Sequence, residues 1–100
     1  MPLLHVALQE GFTGDTVVIR AGGKEVFRKS NVKTRLQTGF ADSAETEMSP
    51  GSVAVNIELP EKRVSESFTV DLKNNLYLGI SLGPDNQIKH KVSAEPFGYV

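Results

Sequence analysis

The sequence contains no cysteine and no tryptophan, has no long apolar run and carries almost no excess of charge. Each absence removes a class of chemistry. Without cysteine there are no disulfides, no thiolate metal sites and no cysteine nucleophile. Eleven Lys and Arg against twelve Asp and Glu leave a formal net charge of −1. The electrostatic attraction that dominates binding to nucleic acid or to an anionic membrane needs a basic excess, so neither is an expected partner. No stretch approaches the ~18–20 apolar residues of a membrane-spanning helix. Met1-Pro2-Leu3-Leu4 runs into His5 rather than into the apolar centre of a secretory signal. The missing tryptophan also removes one of the rings on which sugar-binding domains stack their ligands.

What is present describes a folding domain. One hundred residues, 39% hydrophobic and 23% charged, with nine Gly and five Pro, predict one compact, soluble domain spanning 1–100. The apolar pattern has a period of two almost throughout, the signature of strands with one buried face. Leu4, Val6 and Leu8 alternate with His5, Ala7 and Gln9. Val17 and Ile19 oppose Val18 and Arg20. Val32, Thr34 and Leu36 oppose Lys33 and Arg35. Val53, Val55, Ile57 and Leu59 make the clearest run, followed by Phe68, Val70 and Leu72, then Leu76, Leu78, Ile80 and Leu82. In the run from Ile88, His90 and Val92 alternate with Lys89 and Lys91, and 96–100 could close the fold as a short strand. Gly14-Asp15, Gly22-Gly23, Pro50-Gly51, Asn74-Asn75 and Gly83-Pro84-Asp85-Asn86 supply the backbone angles that turns require. About seven to nine short strands at this spacing predict an all-β, antiparallel two-sheet sandwich, immunoglobulin-like or prealbumin-like.

The segment 38–50 breaks the pattern. It is small and polar, and it reads as a loop, with a single helical turn over 41–48 as the alternative through Asp42 and Glu45. Glu66 is a second misfit. It shares the parity of Val64 and Phe68, where a lone carboxylate is costly to bury, so a β-bulge or a later strand start is expected there.

Catalytic patterns are lacking. His5 and His90 stand 85 positions apart without a second histidine at chelating spacing, and a zinc site would have to borrow a carboxylate such as Asp71 or Glu66. No serine occupies a Gly-x-Ser-x-Gly elbow. Asp42, Glu45 and Glu47 match no calcium loop, and Gly11-Phe12-Thr13-Gly14 and Gly22-Gly23-Lys24 lack phosphate-loop spacing. No catalytic residue, cofactor or metal site is therefore expected.

The charge distribution is more informative. Arg20, Lys24, Arg28, Lys29, Lys33 and Arg35 fall within sixteen positions that hold one acid, Glu25. Arg20, Arg28, Lys33 and Arg35 are the candidates for a basic stripe that binds another protein, and a guard against edge-to-edge aggregation is the competing reading. Tyr77, on the outward parity of its strand, is the candidate ring for stacking a sugar. The expected function is thus a non-enzymatic interaction module, protein–protein through a basic outer face or a strand edge. Weak carbohydrate binding is the alternative, and an enzyme with a histidine-based metal site the third.

One stretch carries a resemblance. From Thr34 the chain reads Thr-Arg-Leu-Gln-Thr-Gly-Phe-Ala, and after an irregular span Ser-Pro-Gly-Ser-Val-Ala-Val-Asn-Ile. This resembles the prealbumin-like, carboxypeptidase-regulatory-like β-sandwich modules, in which a Thr-x-x-Gly turn precedes a Pro-Gly turn into an alternating strand. The resemblance covers about a quarter of the chain. It departs from the pattern in having no aromatic after Pro50-Gly51 and in the acidic insert at 42–47. It implies a sandwich of about seven strands serving as an accessory module without an active site.

Overall fold

A computed structural model describes residues 2–95; the closing strand expected at 96–100 lies outside the described residues. Eight strands follow in order: β1 (Leu3–Leu8), β2 (Thr13–Ala21), β3 (Lys24–Lys33), β4 (Asp42–Glu47), β5 (Gly51–Leu59), β6 (Val64–Leu72), β7 (Leu76–Leu82) and β8 (Ile88–Ser93). A 3-10 turn, Pro60–Lys62, joins β5 to β6. The strands form two four-stranded sheets, β4-β1-β7-β8 and β3-β2-β5-β6. This is the two-sheet sandwich that the period of two predicts. One pairing departs from an all-antiparallel arrangement, since β1 and β7 run parallel.

The alternation places the core. Leu4, Val6, Leu8, Leu78, Ile80 and Leu82 of the first sheet meet Val17, Ile19, Val53, Val55, Ile57, Leu59, Val70 and Leu72 of the second, and all are buried. Phe68, on the apolar parity of β6, is only partly buried and packs at the margin of the core. Its ring stacks on His90, with centroids 3.9 Å apart and planes 5° from parallel. That contact closes one flank of the sandwich between β6 and β8. On the opposite flank the Lys29 ammonium of β3 pairs with the Asp42 carboxylate of β4.

Three sequence expectations are corrected. Within the segment 38–50 expected as a loop, 42–47 is neither loop nor helical turn, because β4 pairs residue for residue with β1, from Leu3↔Glu47 to Leu8↔Asp42. No bulge surrounds Glu66; the β5–β6 register runs unbroken from Gly51↔Leu72 to Leu59↔Val64. Glu66 keeps its inward parity opposite Ile57 but stays exposed, because β6 is an edge strand and its carboxylate can pass the rim. Gly14-Asp15 is not a turn but lies inside β2, where the register against β3 shifts. The Gly22-Gly23 hairpin is as expected, with φ of +61° and +78° at its two residues, the angles of a type I′ turn.

Every strand reverses the direction of the one before it, so the connections gather at two ends. Residues 9–12, 34–41, 60–63 and 83–87 share one of them, here the loop end. Gly11 fastens it. A Cβ at Gly11 would lie 1.9 Å from the Leu82 carbonyl oxygen, and φ is +93°. This close approach lets Leu82 N–H donate to the Glu10 carbonyl at 2.8 Å.

Candidate functional site at the loop end and the outer faces

The four basic candidates divide into two that are ion-paired, Arg20 and Arg28, and two that are not, Lys33 and Arg35. Arg20 and Arg28 share the outer face of the second sheet, where Val18 is level with Arg28 and Arg20 with Glu25. Both are neutralised there. The Arg28 guanidinium bonds Glu25 at 2.7 Å, and Arg20 reaches Glu58 at 3.4 Å. The bond from Arg28 holds the Glu25 carboxyl below its ordinary range, and Glu25 in turn raises Arg28. Between them sits Val18, fully buried on the outward face at the level of Arg28 and Glu58. Long charged side chains cover apolar neighbours with their stems, and the register puts Arg28 and Glu58 on either side of Val18.

Lys33 and Arg35 lie further along the chain, toward the loop end. Lys33 ends β3, five residues beyond Arg28, and Arg35 opens the loop that leads to β4. Neither Lys33 nor Arg35 makes an ion pair among the described residues.

The loop between them and β4 is built on a rigid base. The Thr34 hydroxyl donates to the Gln9 carbonyl at 2.6 Å and accepts from Phe12 N–H at 3.0 Å. Thr34 N–H donates to the Phe12 carbonyl at 2.9 Å, and Ala41 N–H to the Leu8 carbonyl at 2.7 Å. Within the loop, Arg35 N–H donates to the Phe40 carbonyl, and Thr38 and Gly39 N–H both donate to the Arg35 carbonyl. Leu36 stands at the tip, 99% exposed. Extending the strand parity past Lys33 predicted burial for Leu36; the strand stops first, and the residue turns to solvent. Beside it lies an open hollow of about 490 Å³ lined by Phe12, Thr13, Lys33, Thr34, Leu36 and Gly39, among others.

Tyr77 lies half-buried on the outer face of the first sheet. The register sets Glu45, His5, Tyr77 and Ser93 in one row across β4, β1, β7 and β8. The His5 Nδ1 lies 2.8 Å from Glu45 Oε1, and its ring tilts 45° against Tyr77 at 5.4 Å. Tyr77 also borders a hollow of about 530 Å³ with Pro2, Lys73, Asn74, Asn75 and Ala94. His5 and His90 therefore sit apart, one on the outer face of the first sheet and one stacked at a flank. Among the described residues no group of three or more His, Asp or Glu is placed to hold a metal ion. Among them, too, no helix is long and apolar enough to cross a membrane.

One charged group escaped the sequence reading. Asp15 is 5% exposed. Its Oδ1 meets the Lys62 ammonium at 2.9 Å and its Oδ2 accepts from Thr13 N–H at 3.1 Å. Next to it, Glu61 accepts from Thr16 N–H at 2.9 Å. The 3-10 turn thus clamps the start of β2. The signal was present in the sequence, since Asp15 shares the parity of Val17 and Ile19, just as Glu66 shares that of Phe68.

The chain matches no protein-family model and no curated protein.

Proposed function

We propose that this chain is a non-enzymatic interaction module that binds another protein through its loop end. The observation that carries the reading is Leu36. A large apolar side chain 99% exposed on a loop tied at both ends presents an anchor whose ordering cost is met before binding. Lys33 and Arg35 flank it without internal partners, in contrast to the neutralised Arg20 and Arg28. The anchor and the two cations suit an acidic surface that offers an apolar pocket.

The strand order bears on the family. The immunoglobulin constant arrangement joins strands one, two, five and four in a single sheet. Here the first strand lies with four, seven and eight, which favours the prealbumin-like reading of the two.

A photo-crosslinking side chain at position 36 tests the interaction, with position 24 at the opposite end as control. The expected result is a protein adduct specific to position 36 that is lost in Lys33→Glu/Arg35→Glu, at unchanged melting temperature. Equal labelling from both positions overturns the reading. Carbohydrate binding is favoured by a different observation, the hollow in which Tyr77 meets Asn74 and Asn75. Glycan-array binding abolished by Tyr77→Ala would select it.

A further inference from the structure

Among the described residues both sheets end in strands with one unpaired side, and β8 is set apart from the other three edges by its side chains. It pairs with β7 in an unbroken register from Leu82↔Ile88 to Tyr77↔Ser93, and no other described strand pairs with it. Its two faces have opposite chemistry. Lys89 and Lys91 are level with Ser81 and Gly79 on the outer face, and neither makes an ion pair among the described residues. His90 and Val92 are level with Ile80 and Leu78 on the core face. Val92 is nevertheless 47% exposed, because nothing described lies beyond it.

We propose that β8 accepts an added strand from a partner protein, an extended segment in which acidic and apolar residues alternate. The proposal rests on the reading of the chain as a protein-binding module and assigns it a second surface. Strand addition completes the backbone hydrogen bonds of an open edge, while side chains at alternate positions set the specificity. The period of two dictates the sequence of the guest. Its outward residues meet Lys89 and Lys91 and must be acidic; its inward residues cover Val92 and must be apolar.

A second copy of this chain fits less well. Two β8 strands paired antiparallel with their faces matched set Lys89 against Lys91, or Lys91 against its own copy. Like charges directly opposite one another are destabilising. The acidic edge β4 is the other candidate. The register carries Ser43, Ala7, Gly79 and Lys91 along one row. A copy stacked level would therefore bring Ser43, not an acid, to Lys91.

The test is titration of the isotope-labelled chain with an acetylated octapeptide of alternating glutamate and valine. Three controls accompany it: a lysine–valine peptide, a glutamate–valine peptide with alternate amides N-methylated, and the Lys89→Glu/Lys91→Glu variant. The expected result is amide shifts confined to β8 and its β7 neighbours. Affinity should fall about tenfold or more in the charge-reversed variant and in high salt, where exposed charges are screened, and should be lost with the N-methylated peptide. Binding of the methylated peptide at equal affinity would reduce the surface to a charge attraction and overturn strand addition. So would the absence of shifts in β8 at millimolar peptide, or self-association of the unmodified chain through β8. A partner crosslinked from position 36 whose footprint omits β8 leaves the interaction module standing and refutes this edge alone.

Discussion

Removing the Lys62 ammonium should be among the most damaging single changes to a polar side chain in this molecule. Asp15 is 5% exposed, and its carboxylate has two partners, Lys62 Nζ at 2.9 Å and Thr13 N–H at 3.1 Å. Lys62→Met keeps the aliphatic stem and strips the charge, leaving a buried carboxylate on one backbone donor. Breaking a fully buried ion pair from one side costs about 3–5 kcal/mol. Lys62 is 24% exposed along its side chain, so water moderates the loss, and about 2–3 kcal/mol is expected. In a domain of 100 residues each kcal/mol moves the melting temperature by roughly 4–8 °C, which predicts a fall of about 10–20 °C. Asp15→Asn combined with Lys62→Met should recover most of it, because an amide oxygen still accepts from Thr13 and no charge is stranded. Urea unfolding of the wild type, both single variants and the double variant gives the coupling, expected near 1–2 kcal/mol. A Lys62→Met loss below about 0.5 kcal/mol, or a double variant as unstable as Lys62→Met, would refute the account of Asp15 as a buried charge held by Lys62.

Gly11→Ala should cost several kcal/mol, on the order of 3 or more, because its Cβ would lie 1.9 Å from a carbonyl oxygen at a φ of +93°; urea unfolding measures it, and a near-neutral result would mean that the 9–12 turn is free to move. Ile57→Ala and Leu78→Ala should each lose about 2–5 kcal/mol in the same assay, and losses under about 0.5 kcal/mol at both would contradict the facing of the two sheets. The pair between Lys29 and Asp42 makes a prediction in pH. Burial pushes the Asp42 carboxyl up, but the bonds from Lys29 and from Ser43 N–H outweigh it and hold it below its ordinary 3.8. A lowered native value means stability that is complete above the unfolded value and is lost as pH falls through the native one. Wild type should therefore exceed Asp42→Asn by a constant margin between about pH 5 and 7, no more than about 1 kcal/mol for so exposed a pair. The margin should close as the pH drops below about 4, and a margin that grows with acid would reverse the assigned sign.

The sandwich was legible wherever large β-branched and leucine side chains alternate, as in β5 and β7, because burial on one face imposes that period directly. Strand β4 was not legible. Its sequence, Asp-Ser-Ala-Glu-Thr-Glu, has no large apolar residue, and its conformation comes from the backbone of β1 and the bond between His5 and Glu45. Tertiary pairing overrides weak local preference most readily at an edge. The basic cluster was visible, but its neutralisation was not, since Glu58 stands 38 positions from Arg20 and reaches it only through the β2–β5 pairing. Leu36 marks the opposite failure. Parity arguments presume that the strand continues, and nothing in Thr34-Arg35-Leu36 announces that it stops.

The two flanks of the sandwich solve the same problem by different means, and the difference explains why one edge is suited to a partner. An open edge invites indiscriminate pairing unless it is bent, charged or covered. On the first flank the register between β2 and β3 shifts at three places, so β3 is bent by bulges. Its neighbour β4 is held by the ion pair from Lys29. A guest strand there would meet an irregular backbone and would have to compete with an existing charge pair. On the second flank β8 keeps an unbroken register with β7, and it faces β6 through the stack of His90 on Phe68 rather than through an ion pair. Its protection is the charge of Lys89 and Lys91, which repels a copy of itself but attracts a strand that carries carboxylates. The same two lysines that keep the edge from pairing with itself thus define what it can bind, and selectivity and resistance to aggregation become a single property of β8.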